Sequence, residues 1–344
     1  MGERRPTGLA VLDDEGYLLH VSAVATDDAI LAALAPYAEG DCLVAIDAPL
    51  IVSNAVGNRP AEAALNKDFA RFEAGAHPSN TGKPEFREQP RGARIAARLG
   101  LDMNPRSGRA RRAIEVYPHP ATVAMFRLGR TLKYKNKLGR DLEQLRSELI
   151  VMLGLLEGLA GADPPLLVSG HPADRPAVRT WQALRSAVED VGRKSELRVV
   201  EDQVDAVICA YVALFATRRP ERTTTYGDFK TGYIVTPTLP DDLVPTPRGR
   251  RIAPEIRDPG GSAVREYAEL QARSARGRRP VGATGDLDPG RRWHQLRERD
   301  RAREVGGVVR GQGGAQRRWQ VVVQGSAPGD HRSDRGPCDH LRAR

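Results

Sequence analysis

The sequence predicts a mixed α/β domain followed by a segment of different character. Three observations point there. Two apolar runs flank an acidic, glycine-containing turn at 7–24, a helix-spaced apolar stripe opens on Thr26, and a short apolar run ends on Asp47.

Taken in order, Thr7-Gly-Leu-Ala-Val-Leu12 and Tyr17-Leu-Leu-His-Val-Ser-Ala23 enclose Asp13-Asp-Glu-Gly16, the pattern of a β-hairpin. Thr26 or Asp27 suits a helix N-cap, and Ile30, Leu31, Leu34 and Tyr37 follow at helical spacing. Leu43-Val-Ala-Ile46 reads as a buried strand that Pro49 stops, with parallel pairing expected. Residues 53–112 are polar and broken by Gly, Pro and Asn, with helical pieces near 61–73 and 90–99. So long an interruption is usually functional, because ordering it without a core is entropically costly. The next strand is Arg112-Ala-Ile-Glu-Val-Tyr-Pro118. Helices are expected at 138–159 and 176–192, with strands at Leu166–Val168 between them and at Leu197–Val200 beyond. A helix over Gln203–Thr217 and a turn-plus-strand over Tyr226–Val235 complete the domain.

The chain of 344 residues is long enough for a sizeable core and carries a net charge of +9. That charge is unevenly placed. From Arg248 onward there are 22 Arg, no Lys and 12 acidic residues, against 31 basic and 32 acidic residues before it. The basic excess belongs to the final segment and says nothing about a site in the domain. The reading divides the chain into a domain at 1–240 and an Arg/Gly-rich tail at 241–344. The tail lacks sustained apolar periodicity beyond a helical pattern at 263–275, and is expected to be largely disordered. Its composition suits an RNA-binding tail, or GC-rich codons read in a shifted frame. Three scattered cysteines, Cys42, Cys209 and Cys338, argue for a reducing compartment and against a zinc site or disulfide scaffold. No apolar run has the length of a membrane span, and no leader pattern opens the chain, so a cytoplasmic location is expected.

Carboxylates in apolar settings carry the chemistry. Asp47 ends its strand, Glu115 lies between Ile114 and Val116, and Asp205 lies near the start of a helix with Asp202 three residues before it. A carboxylate among apolar residues is expensive unless paired, hydrogen-bonded or bound to a cation. Several converging would suit Mg²⁺ or Mn²⁺ and the hydrolysis of a phosphodiester by an activated water. Each acid also has a plain role: turn capping for Asp47, pairing with Arg111, Arg112 or a loop arginine for Glu115, and helix-start acids for Asp202 and Asp205.

The long loop offers Asn54, Asn58, Arg59 and Lys83 as contacts for a phosphate backbone, or as an ordinary turn-rich surface. His119, between two prolines, suits a substrate contact or a structural brace. Lys133, Lys135 and Lys137 around Tyr134 suit nucleic acid or a solvated loop. No phosphate-cradling glycine loop, no G-x-S-x-G and no H-E-x-x-H occurs.

Six segments in order resemble the DUF429 family, regarded as predicted nucleases of ribonuclease H-like fold. They are Val44-Ala-Ile-Asp-Ala-Pro-Leu50, Ser53-Asn-Ala-Val-Gly-Asn-Arg-Pro60, Ile114-Glu-Val-Tyr-Pro-His119, Lys133-Tyr-Lys135, Asp202-Gln-Val-Asp-Ala-Val-Ile-Cys-Ala210 and Gly227-Asp-Phe-Lys-Thr-Gly-Tyr-Ile234. The resemblance spans roughly 3–240. It implies a mixed sheet with an antiparallel hairpin edge, helices on both faces, and an acidic Mg²⁺ or Mn²⁺ site across the strand ends. Asp47, Glu115 and Asp205 would be catalytic, with Asp47, Asp202 and Asp205 on the metal. The implied activity is metal-dependent hydrolysis of nucleic acid, DNA or RNA.

One feature departs from the resemblance. A ribonuclease H-like domain enters its hairpin from a central strand carrying the first metal-binding aspartate, whereas Met1-Gly-Glu-Arg-Arg-Pro-Thr-Gly8 enters the hairpin at once. Two expectations follow: either the true start lies upstream of Met1, or the sheet is N-terminally truncated, lacks its central strand and first acid, and is inactive for that reason. A second reading follows: a non-catalytic nucleic-acid or protein binding module on a degenerate fold. A nucleotide phosphotransferase of the related actin-like fold is disfavoured by the absent glycine loop.

Overall fold

The computed structural model describes residues 6–168, 176–246 and 319–323. In chain order the elements are β1 (Thr7–Leu12), β2 (Leu18–Val24), α1 (Asp27–Ala38), β3 (Cys42–Ile46), α2 (Pro60–Phe69), α3 (Arg91–Arg98), β4 (Arg111–Glu115), α4 (Pro118–Met125), α5 (Leu142–Gly158), α6 (Pro176–Asp190), α7 (Lys194–Arg218), β5 (Thr223–Asp228), β6 (Gly232–Pro237) and β7 (Trp319–Val323). Short 3₁₀ turns follow α2 and α5 and precede α3 and β5.

The hairpin forms as its residues dictate. Asp13 accepts backbone N–H bonds from Glu15 (3.1 Å) and Tyr17 (2.8 Å), and Gly16 takes the left-handed conformation (φ 89°) that closes the turn. The Asp13 carboxylate is thereby committed to the turn. Thr26 caps α1 through its side chain, which accepts from the Ala29 N–H at 3.1 Å.

The main sheet has five strands in the order β2-β1-β7-β3-β4. β1 is antiparallel to β2 and β7, while β3 is parallel to β7 and β4. Every residue of β1 and β3 is buried, which requires cover on both faces of the sheet. On one side α7 lies across β1, β7 and β3. α1 packs against β7 and β1, and α3 packs against α1. Full burial of Leu9, Val11, Leu12, Val44 and Ile46 stabilises by about 1.5–3 kcal/mol per side chain. Gly8 makes the α7 contact so close: a Cβ there would stand 1.9 Å from the Asp202 carbonyl oxygen. The β5–β6 hairpin forms a separate two-stranded sheet against α2, bridged to the main sheet at Val116–Val235.

β7 corrects the expectation of a sheet without its central strand. Trp319–Val323, from the segment read as a disordered tail, pairs with β1 from Leu9↔Val323 to Leu12↔Gln320 and with β3 from Cys42↔Trp319 to Ile46↔Val323. The physical reason is the open ladder on each side: β1 and β3 both present N–H and C=O groups that need partners, and Val321-Val-Val323 has the β-branched side chains that strands favour. Folded chain also runs past the expected limit of 240, since Leu243 is buried and the Thr246 N–H donates to Gly129 O at 2.8 Å. Residues 247–318 and 324–344, including the expected helix at 263–275, lie outside the described residues.

Three further expectations are revised. Leu197–Val200 is no strand but part of α7, because Leu197, Val200, Val204, Ile208 and Tyr211 continue one buried helical stripe without a breaker. Leu166–Val168 forms only an isolated bridge, Leu167 to Tyr17. The strand expected to reach Pro118 ends at Glu115, and Pro118 opens α4, where the missing N–H is harmless in the first turn.

Candidate functional site

Parallel pairing in register brings Ile46 and Glu115 level, so Asp47 emerges beside Glu115 at the same end of the sheet. The two carboxylates nevertheless meet different partners. Glu115 is buried and fully engaged by Arg59, whose Nη1 lies 2.9 Å from Oε2 and whose Nη2 lies 2.5 Å from Oε1. The Leu50 N–H also donates to Oε2 at 2.9 Å. Arg59 itself is only 1 % exposed. Its Nε donates to Glu62 Oε1 at 2.9 Å, and Nη1 also donates to Ile51 O at 2.9 Å. Burial pushes the Glu115 carboxyl up, opposed by Arg59. Of the expected catalytic acids, Glu115 is thus the one held in a loop-bracing ion pair.

Asp47 is half-buried and turns instead toward α7 and the loop after α4. Burial pushes its carboxyl up to about 8; Lys135 pulls it down, and Asp205, Asp202 and Glu115 push it further up. Asp205 is completely buried in the middle of α7; the sequence places it near a helix start, but α7 begins at Lys194. A helix-dipole role for Asp202 and Asp205 therefore falls away. Tyr134 Oη donates to Asp205 Oδ1 at 2.6 Å, while Lys135 Nζ pairs with Asp205 Oδ2. Glu201, one residue before Asp202, is also buried and is pushed up to about 7 by burial, with Lys135 opposing and Asp205 and Asp202 reinforcing. Asp205, Asp47 and Glu201 thus share one ammonium group, and Asp202 adds to the negative field on Asp47 and Glu201. Burial weakens the Lys135 charge, but Asp205, Asp47 and Glu201 outweigh it and hold the pKa above its ordinary value.

This arrangement does not fit the expected divalent ion. Among the described residues, no three His, Cys, Asp or Glu side chains come together in a way that could hold a metal. Both oxygens of Asp205 already have partners.

Asp47 also lines a cleft of about 460 Å³. Its wall includes Lys83, Arg87, Arg91 and Arg94. Arg91 is committed to Asp27 at 2.7 Å. Arg87 and Arg94 have no carboxylate partner among the described residues, and Lys83 donates to Pro78 O at 2.5 Å. Glu85 and Glu88 also line the cleft, so its wall is mixed in sign.

The other expected contacts divide. Lys83 and Arg59 reach the cleft, Arg59 from behind its two glutamates. Asn54 closes its own loop, donating to Val56 O (3.0 Å) and Gly57 O (3.1 Å), and Asn58 is exposed on that loop. His119 sits in the first turn of α4, its Nδ1 3.2 Å from Thr131 Oγ1. Burial first, then Lys135, Lys137, Lys133 and Arg140, hold its pKa well below the ordinary range. In the basic run, Lys133 pairs with Glu73 and Lys135 with Asp205; these two serve the fold's carboxylates and not a solvated patch. Sequence reasoning missed Glu201, Glu62 and the Arg87–Arg94 wall. Only Glu62 left a signal, an acid at the third position of a helix opened by Pro60, where it accepts the Arg59 N–H at 2.9 Å.

Fold and site together define a mixed α/β protein with a carboxylate–lysine cluster at the strand ends beside a partly cationic cleft. The family described as "Protein of unknown function (DUF429)" matches residues 3–231, and the chain belongs to that family. No curated protein and no solved structure matches the chain. Among the described residues, no helix is long and apolar enough to cross a membrane.

Proposed function

We propose that the Asp47 cleft binds and hydrolyses phosphodiester bonds of nucleic acid on a ribonuclease H-like scaffold. The observation that carries this reading is the position of Asp47, which belongs at once to the buried carboxylate cluster and to a cleft bearing Lys83, Arg87 and Arg94. Cations that retain free donors suit a phosphate backbone, and a carboxyl held near neutrality suits proton transfer to or from a water or leaving oxygen. The scaffold reading is supported by the antiparallel hairpin edge, a central strand parallel to the next two strands, and a long helix bringing Asp205 to the strand ends. The Mg²⁺ or Mn²⁺ expected from the sequence is not given a step, because the described carboxylates do not fit it.

Labelled single-stranded and duplex DNA, RNA and hybrid substrates, incubated with and without Mn²⁺, test the proposal. Cleavage that is lost in Asp47→Asn, with KM raised in the Arg87→Ala/Arg94→Ala double variant, is the expected result. No cleavage of any substrate overturns hydrolysis. The non-catalytic binding reading has its own observation, the occupation of Asp205 by Lys135 and Tyr134. Nucleic-acid binding that persists in Asp47→Asn without turnover would establish it.

A further inference from the structure

We propose that Lys135 is the resident cation of the Asp47/Glu201/Asp205 cluster, so that this site works without a divalent metal ion. The inference rests on the assignment of that cluster as the functional centre, and it changes what the cluster is expected to bind.

The geometry supports it in three ways. The two oxygens of Asp205 are divided between neighbouring residues of one segment, Oδ1 to Tyr134 Oη at 2.6 Å and Oδ2 to Lys135 Nζ. An incoming ion would have to compete with both for a fully buried carboxylate. The ammonium also lies in the field of three acids, Asp205, Asp47 and Glu201, carried by two separate elements. That is where a divalent ion would draw its stabilisation. Finally, the segment is fastened on both sides of the lysine. The Lys133 N–H donates to Glu148 Oε2 at 3.1 Å, and Arg140 Nη1 donates to Lys135 O at 2.7 Å and to Lys133 O at 3.2 Å. The Lys194 ammonium, at the start of α7, in turn donates to Arg140 O. Lys135 is therefore pre-positioned by the backbone, with only 19 % of its side chain exposed. A mobile surface lysine that samples the site would show none of these constraints.

The chemistry differs in consequence. A lysine supplies one positive charge and three N–H donors, so it can hold an anionic oxygen but cannot acidify a coordinated water as a divalent ion does. Proton handling at the site then falls to its carboxyl groups.

Calorimetric titration of the full chain with Mn²⁺ and with Mg²⁺, together with thermal melting in chelator and in either ion, tests the proposal. The wild type is expected to show no binding tighter than millimolar and no shift in melting. In Lys135→Met the cluster loses its compensation. The variant is expected to melt lower, to recover on addition of Mn²⁺, and to bind Mn²⁺ at least about tenfold more tightly than wild type. Lys135→Arg keeps the charge and should behave as wild type toward both ions. Micromolar Mn²⁺ binding by the wild type that disappears in Asp205→Asn overturns the proposal, whether or not Lys135→Met folds. These readouts need no substrate, so they stand apart from the cleavage assay: absence of turnover overturns hydrolysis alone, and metal binding overturns the lysine assignment alone.

Discussion

Arg59 and Glu115 form a two-point ion pair across 56 residues of sequence, buried beneath the loop that walls the Asp47 cleft. The same guanidinium holds Glu62, and the Ser79 N–H donates to Glu62 Oε2 at 3.0 Å, so one arginine ties β4, α2 and the 76–83 loop together. Removing it leaves two buried carboxylates without a cation. Arg59→Leu should therefore lower stability by about 3–5 kcal/mol, measured as a fall in the urea midpoint. Glu115→Gln, which retains the Arg59–Glu62 pair, should lose less. Equal midpoints for Arg59→Leu and wild type would refute the bracing role.

Asp47 sets a pH dependence whose sign follows from its environment. Burial pushes its carboxyl up to about 8 in the folded protein, against an ordinary value of 3.8. Between those values the folded state holds a proton that the unfolded state has released, so this contribution to stability is lost as pH rises through the window. Glu201, pushed up to about 7, acts in the same direction. Asp47→Asn should match wild type at the acidic end and become progressively more stable than it toward the alkaline end, with a residual slope from Glu201. Urea midpoints measured across the window check this. A wild-type slope unchanged by the substitution would contradict it.

The approach of α7 to β1 at Gly8 positions the acidic side of the cluster. A methyl group there would meet the Asp202 carbonyl at 1.9 Å, backbone against Cβ, with no flexible side chain to yield. Gly8→Ala should destabilise by about 1–3 kcal/mol through overpacking and shift the amide resonances of Glu201 to Asp205. Gly40→Ala, where nothing lies within 4 Å of the added Cβ, serves as the control and should be silent.

The central strand is testable in the same way. Val321 pairs with Val11 on one side and Val44 on the other. Val321→Pro removes a ladder donor from a strand with neighbours on both sides, a position that excludes proline. Hydrogen exchange should speed up in β1 and β3 while the β5–β6 hairpin keeps its protection. Unchanged protection in β1 and β3 would place the strand elsewhere.

Local chemistry made much of this chain legible. The hairpin around Asp13, the Thr26 cap, the strand ending before Asp47 and the apolar stripe leading to Phe215 all follow from spacing and turn residues, which act over a few positions. That Asp47 and Asp205 need partners was likewise visible, because a carboxylate in an apolar run demands one wherever it lies. The identity of those partners was not visible. Nothing in the spacing of Arg59 and Glu115, or of Lys135 and Asp205, distinguishes an ion pair from a ligand set, since pairing over such separations depends on where the chain returns. Only the tertiary structure separated Glu115, braced by arginine, from Asp47, left facing a cleft. It also decided that the gap between β1 and β3 is closed by Trp319–Val323: an open ladder can be satisfied by any strand that reaches it, however distant in sequence.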